Sequence, residues 1–174
     1  ALYVGGMVAG GWKLIETIQG DGSGDAQFDD CFSGYNVNKM EISNAHPSAV
    51  GVTPMLEFNE PGNNDWATIN FVSSKVYWYT AESGGATGTS QTGQSQQTGE
   101  LIVGQGVGGD ADESLSGTVY MYGIHQATYQ KHLRWHLVWS EESDNVFYQR
   151  GGAKLMYTDP TNRINGVRFS FFWT

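Results

Sequence analysis

Short stretches in which apolar and polar residues alternate recur along the chain, separated by glycine, asparagine, aspartate, serine and proline. Leu56 and Phe58 show the alternation, and so do Ala67, Ile69 and Phe71, whose apolar side chains would share one face of a strand. Turn residues spaced about 8 to 12 positions apart are typical of β-sandwiches. The pattern therefore predicts half-buried strands and few helices.

About ten or eleven strands are predicted in this way. They cover residues 12–18, 39–43, 55–59, 66–71, 75–80, 100–103, 117–124, 132–139, 145–150, 153–158 and 167–173. Two stacked antiparallel sheets accommodate such a set, so we predict an all-β fold, a jelly-roll-like antiparallel β-sandwich. No repeat of solenoid or propeller length is visible, and residues 12–174 are expected to form one domain.

Residues 128–140 are the one segment where a helix competes, because they contain neither glycine nor proline. A strand here would carry four bulky apolar side chains on one face: Leu133, Trp135, Leu137 and Trp139. Its other face would carry three polar side chains: His132, Arg134 and His136. Helical winding would scatter the bulky set around the axis, so the strand is favoured.

Two segments lack a strand pattern. Residues 1–11 are rich in glycine and are expected to form a flexible arm that docks on a partner. The apolar residues of this arm would make the contact: Leu2, Tyr3, Val4, Met7 and Val8. Residues 83–99 contain only small and polar residues, without an apolar anchor, and are expected to form a flexible loop.

The composition of the chain excludes several classes of protein. Hydrophobic residues make up 39% of the chain and aromatic residues 13%, enough to form a folded core. The formal net charge of −9 argues against a nucleic-acid partner, because no broad basic surface offers itself to phosphates. The amino terminus has neither a cationic leader nor a span of membrane length, so no membrane insertion is expected. Cys31 is the single cysteine and is expected to be a small buried residue.

Two polar motifs are candidate sites of chemistry. His132 and His136 have a metal-ligand spacing, but on a strand they would flank the positive charge of Arg134, so no metal site is predicted. The Asn59-Glu60-Pro61 tripeptide is similar to the acid/base motif of some glycoside hydrolases, yet the turn residues after it favour a turn. We therefore predict no catalytic residue, no cofactor and no enzymatic activity.

Two acidic turns carry clustered oxygens of the kind that calcium prefers. One contains Asp21 and Asp25, and the other contains Asp110 and Asp112. Neither completes a known calcium loop, so a flexible acidic turn is the first interpretation of each, and calcium binding stays an alternative.

Aromatic residues offer a different kind of site, because aromatic faces stack on sugar rings as well as they fill a core. Most of them are expected inside the sandwich. The four tyrosines able to show a hydroxyl at a surface, a subunit contact or a glycan are Tyr77, Tyr79, Tyr120 and Tyr122.

Five short elements spread over nearly the whole chain carry a resemblance to a known family. They are WKLIE at 12–16, FSGY at 32–35, MEI at 40–42, SGTVYMYG at 116–123 and INGVRFS at 164–170, with Lys131 and Trp135 between the last two. In these elements the chain resembles small β-rich virion proteins of tailed bacteriophages, found as tail-fibre, appendage or head-surface components.

The resemblance implies a non-enzymatic structural protein of the virion, with other capsid or tail proteins as partners. Its task would be attachment, either to the particle or from the particle to a host-surface glycan. A bacterial carbohydrate-binding module is the alternative, with exposed tyrosines and tryptophans as its sugar platform.

The chain departs from that family at its end. The family continues past the arginine-bearing strand to a final strand, whereas this sequence stops at Thr174. We therefore expect an open edge strand at Phe169, Phe171 and Trp173, whose unpaired backbone groups a neighbouring chain would satisfy. A homo-oligomer follows from this, and the resemblance to fibre proteins suggests a trimer.

Overall fold

A computed structural model describes residues 2–8, 11–18, 25–32, 34–59, 70–81, 85–87, 95–98, 101–104, 106–110, 112–128, 130–140, 146–156 and 163–172. These ranges contain thirteen strands, and none of the described residues is helical. The strands are β1 (Leu2–Val8), β2 (Gly11–Ile18), β3 (Asp25–Phe28), β4 (Val37–Ala45), β5 (Thr53–Asn59), β6 (Asn70–Ala81), β7 (Gly85–Thr87), β8 (Ser95–Thr98), β9 (Leu101–Ile102), β10 (Leu115–Tyr122), β11 (His132–Ser140), β12 (Val146–Met156) and β13 (Gly166–Phe172).

The strands form two sheets, which confirms the all-β antiparallel sandwich. The larger sheet has nine strands in the order β2-β1-β4-β10-β11-β12-β6-β7, with β8 also paired to β6. The smaller sheet has the order β3-β13-β5-β9. Every strand pair is antiparallel. The jelly-roll connectivity is not confirmed by this order.

One apolar core lies between the two sheets. Val4 and Trp135 of the larger sheet belong to the same buried cluster as Phe28 and Phe58 of the smaller sheet, and all four are fully buried. Each sheet thus covers the apolar face of the other, which is how two amphipathic sheets remove that surface from water.

Strand β11 follows the predicted alternation. Leu133 and Trp135 are buried in the core, while His132 and Arg134 between and beside them are exposed. The pattern continues to Trp139, which is also buried. Bulky side chains at every second position are compatible with a strand and not with a helix, so the strand prediction for this segment is confirmed.

The glycine-rich amino terminus is not a free arm, and that prediction is wrong. Residues 2–8 form β1, which lies between β2 and β4 in the larger sheet. Leu2 pairs with Ile18 on one side and Ile42 on the other. The glycines of this strand make room for close packing, because a Cβ at Gly6 would overlap the ring of Tyr35. Strand β1 is therefore part of the sandwich.

The last strand is not the open edge that the sequence predicted. Strand β13 lies between β3 and β5, and Phe169 pairs with Ala26 on one side and Leu56 on the other. Phe171 pairs with Pro54 of β5, and Trp173 lies outside the described residues. The homo-oligomer and the trimer stay predictions without this support. Among the described strands of the larger sheet, β2 is the long one at an edge.

The prediction of a flexible loop at residues 83–99 is wrong for two parts of this segment. Residues 85–87 form β7 and residues 95–98 form β8, and both strands pair with β6. The rest of this segment lies outside the described residues. Elsewhere, the predicted strands 145–150 and 153–158 are one strand, β12, which continues through Gly151 and Gly152.

Cys31 is buried, as predicted, with 2% of its surface exposed, and its thiol is free. The sulfur lies 3.7 Å from the carbonyl oxygen of Phe28 and 3.8 Å from that of Asn165. Burial raises the pKa of the thiol to about 12, because the thiolate would lose its hydration. The reactive thiolate is therefore scarce in the folded protein.

This burial predicts that Cys31 does not react with a disulfide reagent such as dithionitrobenzoate in the native protein at mildly alkaline pH. In denaturant the same thiol should react completely, since it is then hydrated and its pKa returns toward the ordinary value. Absorbance of the released thiolate measures both reactions. Equal rates in native and denaturing solution would show that the thiol is accessible.

Candidate functional site

The outer face of the larger sheet, which points away from the core, is rich in aromatic and cationic side chains. These side chains lie at alternate positions of β2, β4, β10, β11 and β12, and all of them are exposed or half-buried. We call them the aromatic–cationic face: Trp12, Lys39, Tyr120, Tyr122, His132, Arg134, His136, Tyr148, Arg150 and Lys154. Strand alternation places them here, because the residues between them fill the core.

Three aromatic rings form one end of this face. The ring of Trp12 on β2 lies 6.2 Å from that of Tyr120 on β10, measured between centroids, and Tyr120 lies 6.5 Å from Tyr122. The ammonium of Lys39 stands 5.1 Å from the centre of the Trp12 ring and 2.6 Å from the carboxylate of Glu41. Trp12 is 40% exposed and Tyr122 is 37% exposed, so both rings offer apolar surface to solvent.

A polar group forms the middle of the face, around His136. The Nε of Arg134 donates a hydrogen bond to Nε2 of His136 at 3.2 Å, and the Tyr148 hydroxyl lies 3.5 Å from Nδ1. Partial burial lowers the pKa of His136, and the charges of Arg134 and Arg150 lower it further. The imidazole is therefore neutral at neutral pH, in agreement with its role as an acceptor. The fixed positive charges here belong to the two arginines.

The charge of this face is opposite to that of the whole chain. The net charge of the protein is −9, yet β4, β10, β11 and β12 contain four lysine and arginine residues and a single carboxylate. That carboxylate, Glu41, pairs with Lys39. The face is thus a local positive area on an acidic protein, and it attracts anionic groups at short range.

The structure brings together two of the four tyrosines that the sequence singled out. Tyr120 and Tyr122 are neighbours on the aromatic–cationic face. Tyr77 and Tyr79 belong to β6, but their side chains lie outside the described part of the structure. The prediction of a surface or glycan contact for Tyr77 and Tyr79 therefore stays a prediction.

The residues predicted to dock as an arm have a different role. Leu2 and Val4 are buried in the core of the sandwich, where no partner reaches them. Met7 is 49% exposed, at the end of β1 that pairs with the start of β2. The structure describes the backbone of Tyr3 and Val8 but not their side chains.

The histidine pair with metal-ligand spacing lies on the same face. His132 and His136 flank Arg134 on β11, as the sequence predicted for a strand. Among the described residues, no group of three or more histidine, cysteine, aspartate or glutamate side chains is arranged to hold a metal ion. Glu60, the residue of the glycosidase-like tripeptide, lies outside the described residues.

One of the two acidic turns is closed by its own carboxylate. The backbone N–H of Asp110 donates to the carboxylate of Glu113 at 2.7 Å, and the Glu113 N–H donates to the Asp110 carbonyl at 2.9 Å. Glu113 is 2% exposed. In the other turn, Asp25 lies 3.9 Å from the guanidinium of Arg168, and Asp21 lies outside the described residues.

Sequence reasoning did not assemble the cationic part of the face. Lys39, Arg134, Arg150 and Lys154 come from three strands, β4, β11 and β12. The alternation in β11 predicted that Arg134 points away from the core, and the sequence analysis placed none of the other three. Only the strand order, which places β10 between β4 and β11, shows that Lys39 and Arg134 flank Tyr120.

The chain was compared with protein-family models, with curated proteins and with solved structures, and none of them matches it. In the described ranges there is no helix of the length and apolar character needed to cross a membrane.

Proposed function

We propose that this protein is a non-enzymatic attachment protein of a bacteriophage particle, and that it binds a host-surface glycan through the aromatic–cationic face. The glycan part of the proposal rests on one observation: the rings of Trp12, Tyr120 and Tyr122 lie together at the surface of a sheet whose other face forms the core. The phage part rests on the resemblance of five short sequence elements to small virion proteins of tailed bacteriophages.

The face has the chemistry that sugars require of a binding surface. A sugar ring presents apolar C–H groups on its faces, which pack on the face of an aromatic ring, and hydroxyls at its edge. Here the tyrosine hydroxyls and the guanidinium of Arg134, which pairs in register with Tyr120, can exchange hydrogen bonds with those hydroxyls. A rigid sheet holds these groups in place, so little conformational entropy is lost on binding.

Binding to a glycan array tests this proposal. Wild-type protein is expected to bind a subset of glycans, and Tyr122→Ala is expected to weaken that binding about tenfold, or about 1.4 kcal/mol, because the sugar loses its stacking partner. Tyr122→Phe is the matched control: it keeps the ring and should retain most of the affinity. Equal binding by wild type and Tyr122→Ala would remove this face as the glycan site.

A bacterial carbohydrate-binding module would use the same face, so array binding alone does not separate the two functions. The two functions differ in the assembly to which the domain belongs: a phage particle in one case and a secreted enzyme in the other. A reconstruction or mass-spectrometric inventory of the purified source particle would contain this chain as a tail-fibre, appendage or capsid-surface subunit if the proposal is right. Detection of the chain only as part of a secreted polysaccharide-degrading enzyme would favour the module.

A further inference from the structure

We propose that the glycan bound by the aromatic–cationic face is an acidic polysaccharide that carries carboxylate groups. This inference rests on the proposed function, and it specifies the class of ligand. A neutral glycan would need the aromatic rings and hydroxyls alone. The face adds four lysine and arginine residues, which this protein of net charge −9 carries on the outer side of β4, β11 and β12, with β10 between β4 and β11.

Two of these cations have no carboxylate partner among the residues that the structure describes. Neither Arg134 nor Lys154 makes an ion pair with any described residue, although both are exposed on the face. Arg134 also pairs in register with Gly152 of β12, which has no side chain to cover the guanidinium. The Nε of Arg134 donates to His136, so the two Nη groups are the parallel N–H donors that can receive a ligand carboxylate.

The strand register places cations on both sides of an aromatic ring. Tyr120 pairs with Lys39 on β4 and with Arg134 on β11. Adjacent strands are about 4.8 Å apart, so the backbones that carry Lys39 and Arg134 are about 10 Å apart. A sugar ring stacked on Tyr120 would thus have a cation within reach in both directions across the sheet. Carboxylates repeated along a sugar chain match this arrangement.

Single-stranded nucleic acid is the other polyanion that binds aromatic and basic sheets. The net charge of −9 opposes it, because a phosphate chain is charged at every unit and would extend beyond this face over an acidic surface. A polysaccharide with fewer charges per length avoids that repulsion. We therefore assign the face to a carboxylated glycan.

The test is an array that carries neutral oligosaccharides, uronic-acid oligosaccharides, the carboxyl-reduced forms of the latter, and oligothymidine. Wild-type protein is expected to bind uronic-acid oligosaccharides, and carboxyl reduction and Arg134→Gln are each expected to weaken that binding about tenfold. Arg163→Gln is the charge-matched control, since Arg163 is exposed outside the strands of the face and should leave affinity unchanged. Circular dichroism and a thermal melt check that both variants are folded.

Each other outcome overturns the inference in a distinct way. Preference for neutral glycans, with Arg134→Gln equal to wild type, would overturn the acidic ligand and leave the proposed glycan function standing. Stronger binding to oligothymidine than to any glycan would replace the glycan with nucleic acid. Absence of binding to every glycan on the array would overturn both this inference and the proposed function.

Discussion

Replacement of Arg168 by methionine is expected to lower the free energy of unfolding by about 3 kcal/mol. The guanidinium of Arg168 donates two hydrogen bonds to the Glu57 carboxylate, from Nε at 2.7 Å and from Nη2 at 2.6 Å. The Glu57 side chain is only 6% exposed, so its charge would remain buried without a partner. Methionine preserves much of the apolar stem, and urea unfolding followed by tryptophan fluorescence gives the change.

Two further variants separate the buried pair from the charges around it. Asp25 lies 3.9 Å from the same guanidinium and is half exposed, so Asp25→Asn should change stability by no more than about 0.5 kcal/mol. The double variant Glu57→Leu with Arg168→Met should recover most of the loss, because no charge is then left buried. A wild-type urea midpoint for Arg168→Met alone would show that the ion pair contributes nothing.

The parts of the fold that the sequence predicted are those where one face of a strand is buried and the other is wet. In β11, Leu133 and Trp135 alternate with His132 and Arg134, and period-two alternation has no helical equivalent. The same local signal found β4 and β10. Alternation fixes which side of a strand faces the core, and it needs no knowledge of the neighbouring strands.

The sequence predictions were wrong for segments whose strand structure depends on backbone pairing with other strands rather than on an alternating pattern of side chains. Strand β1 was missed because Gly5 and Gly6 interrupt the alternation, yet β2 and β4 hydrogen-bond to it on both sides. Strands β7 and β8 are polar and are ordered by pairing with β6. The place of β13 in the middle of its sheet depends equally on distant segments. Pairing between segments that are distant in sequence does not alter the local pattern of apolar and polar residues, so that pattern cannot predict it.

The same distinction applies to the candidate site: residues on one strand were predicted together, and residues on distant strands were not. Tyr120 and Tyr122 were singled out because a tyrosine can show its hydroxyl at a surface, and their alternate positions on β10 place both on one face. Trp12 was not found, since it reaches Tyr120 across two intervening strands. The net charge of −9 argued against a broad basic surface, and it did not indicate that four lysine and arginine residues lie on the outer face of the larger sheet. The net charge of a protein therefore predicts its electrostatic field at long range, and it does not predict which ligand one particular surface binds.

A methyl group added at Gly151 is expected to destabilise the fold by about 3 kcal/mol. Gly151 of β12 pairs in register with Trp135 of β11, and the fully buried indole ring lies against its backbone. A Cβ at this position would overlap the ring, so Gly151→Ala must displace Trp135 or bend the sheet. The core is close-packed, and displacement of its largest fully buried side chain would disturb many neighbours. Thermal or urea unfolding measures the loss.

The next residue supplies a matched control with the opposite expected sign. A Cβ at Gly152 would meet only the carbonyl oxygen of Leu133, at the ordinary distance of 3.4 Å, and would point to the outer face. Gly152→Ala should therefore leave stability unchanged or raise it by up to about 1 kcal/mol, because alanine restricts the unfolded chain. Equal effects of the two substitutions would mean that Trp135 does not pack on Gly151. A large loss of unfolding free energy for Gly151→Ala alone would show that the packing of the Trp135 ring on the Gly151 backbone contributes strongly to the stability of the sandwich.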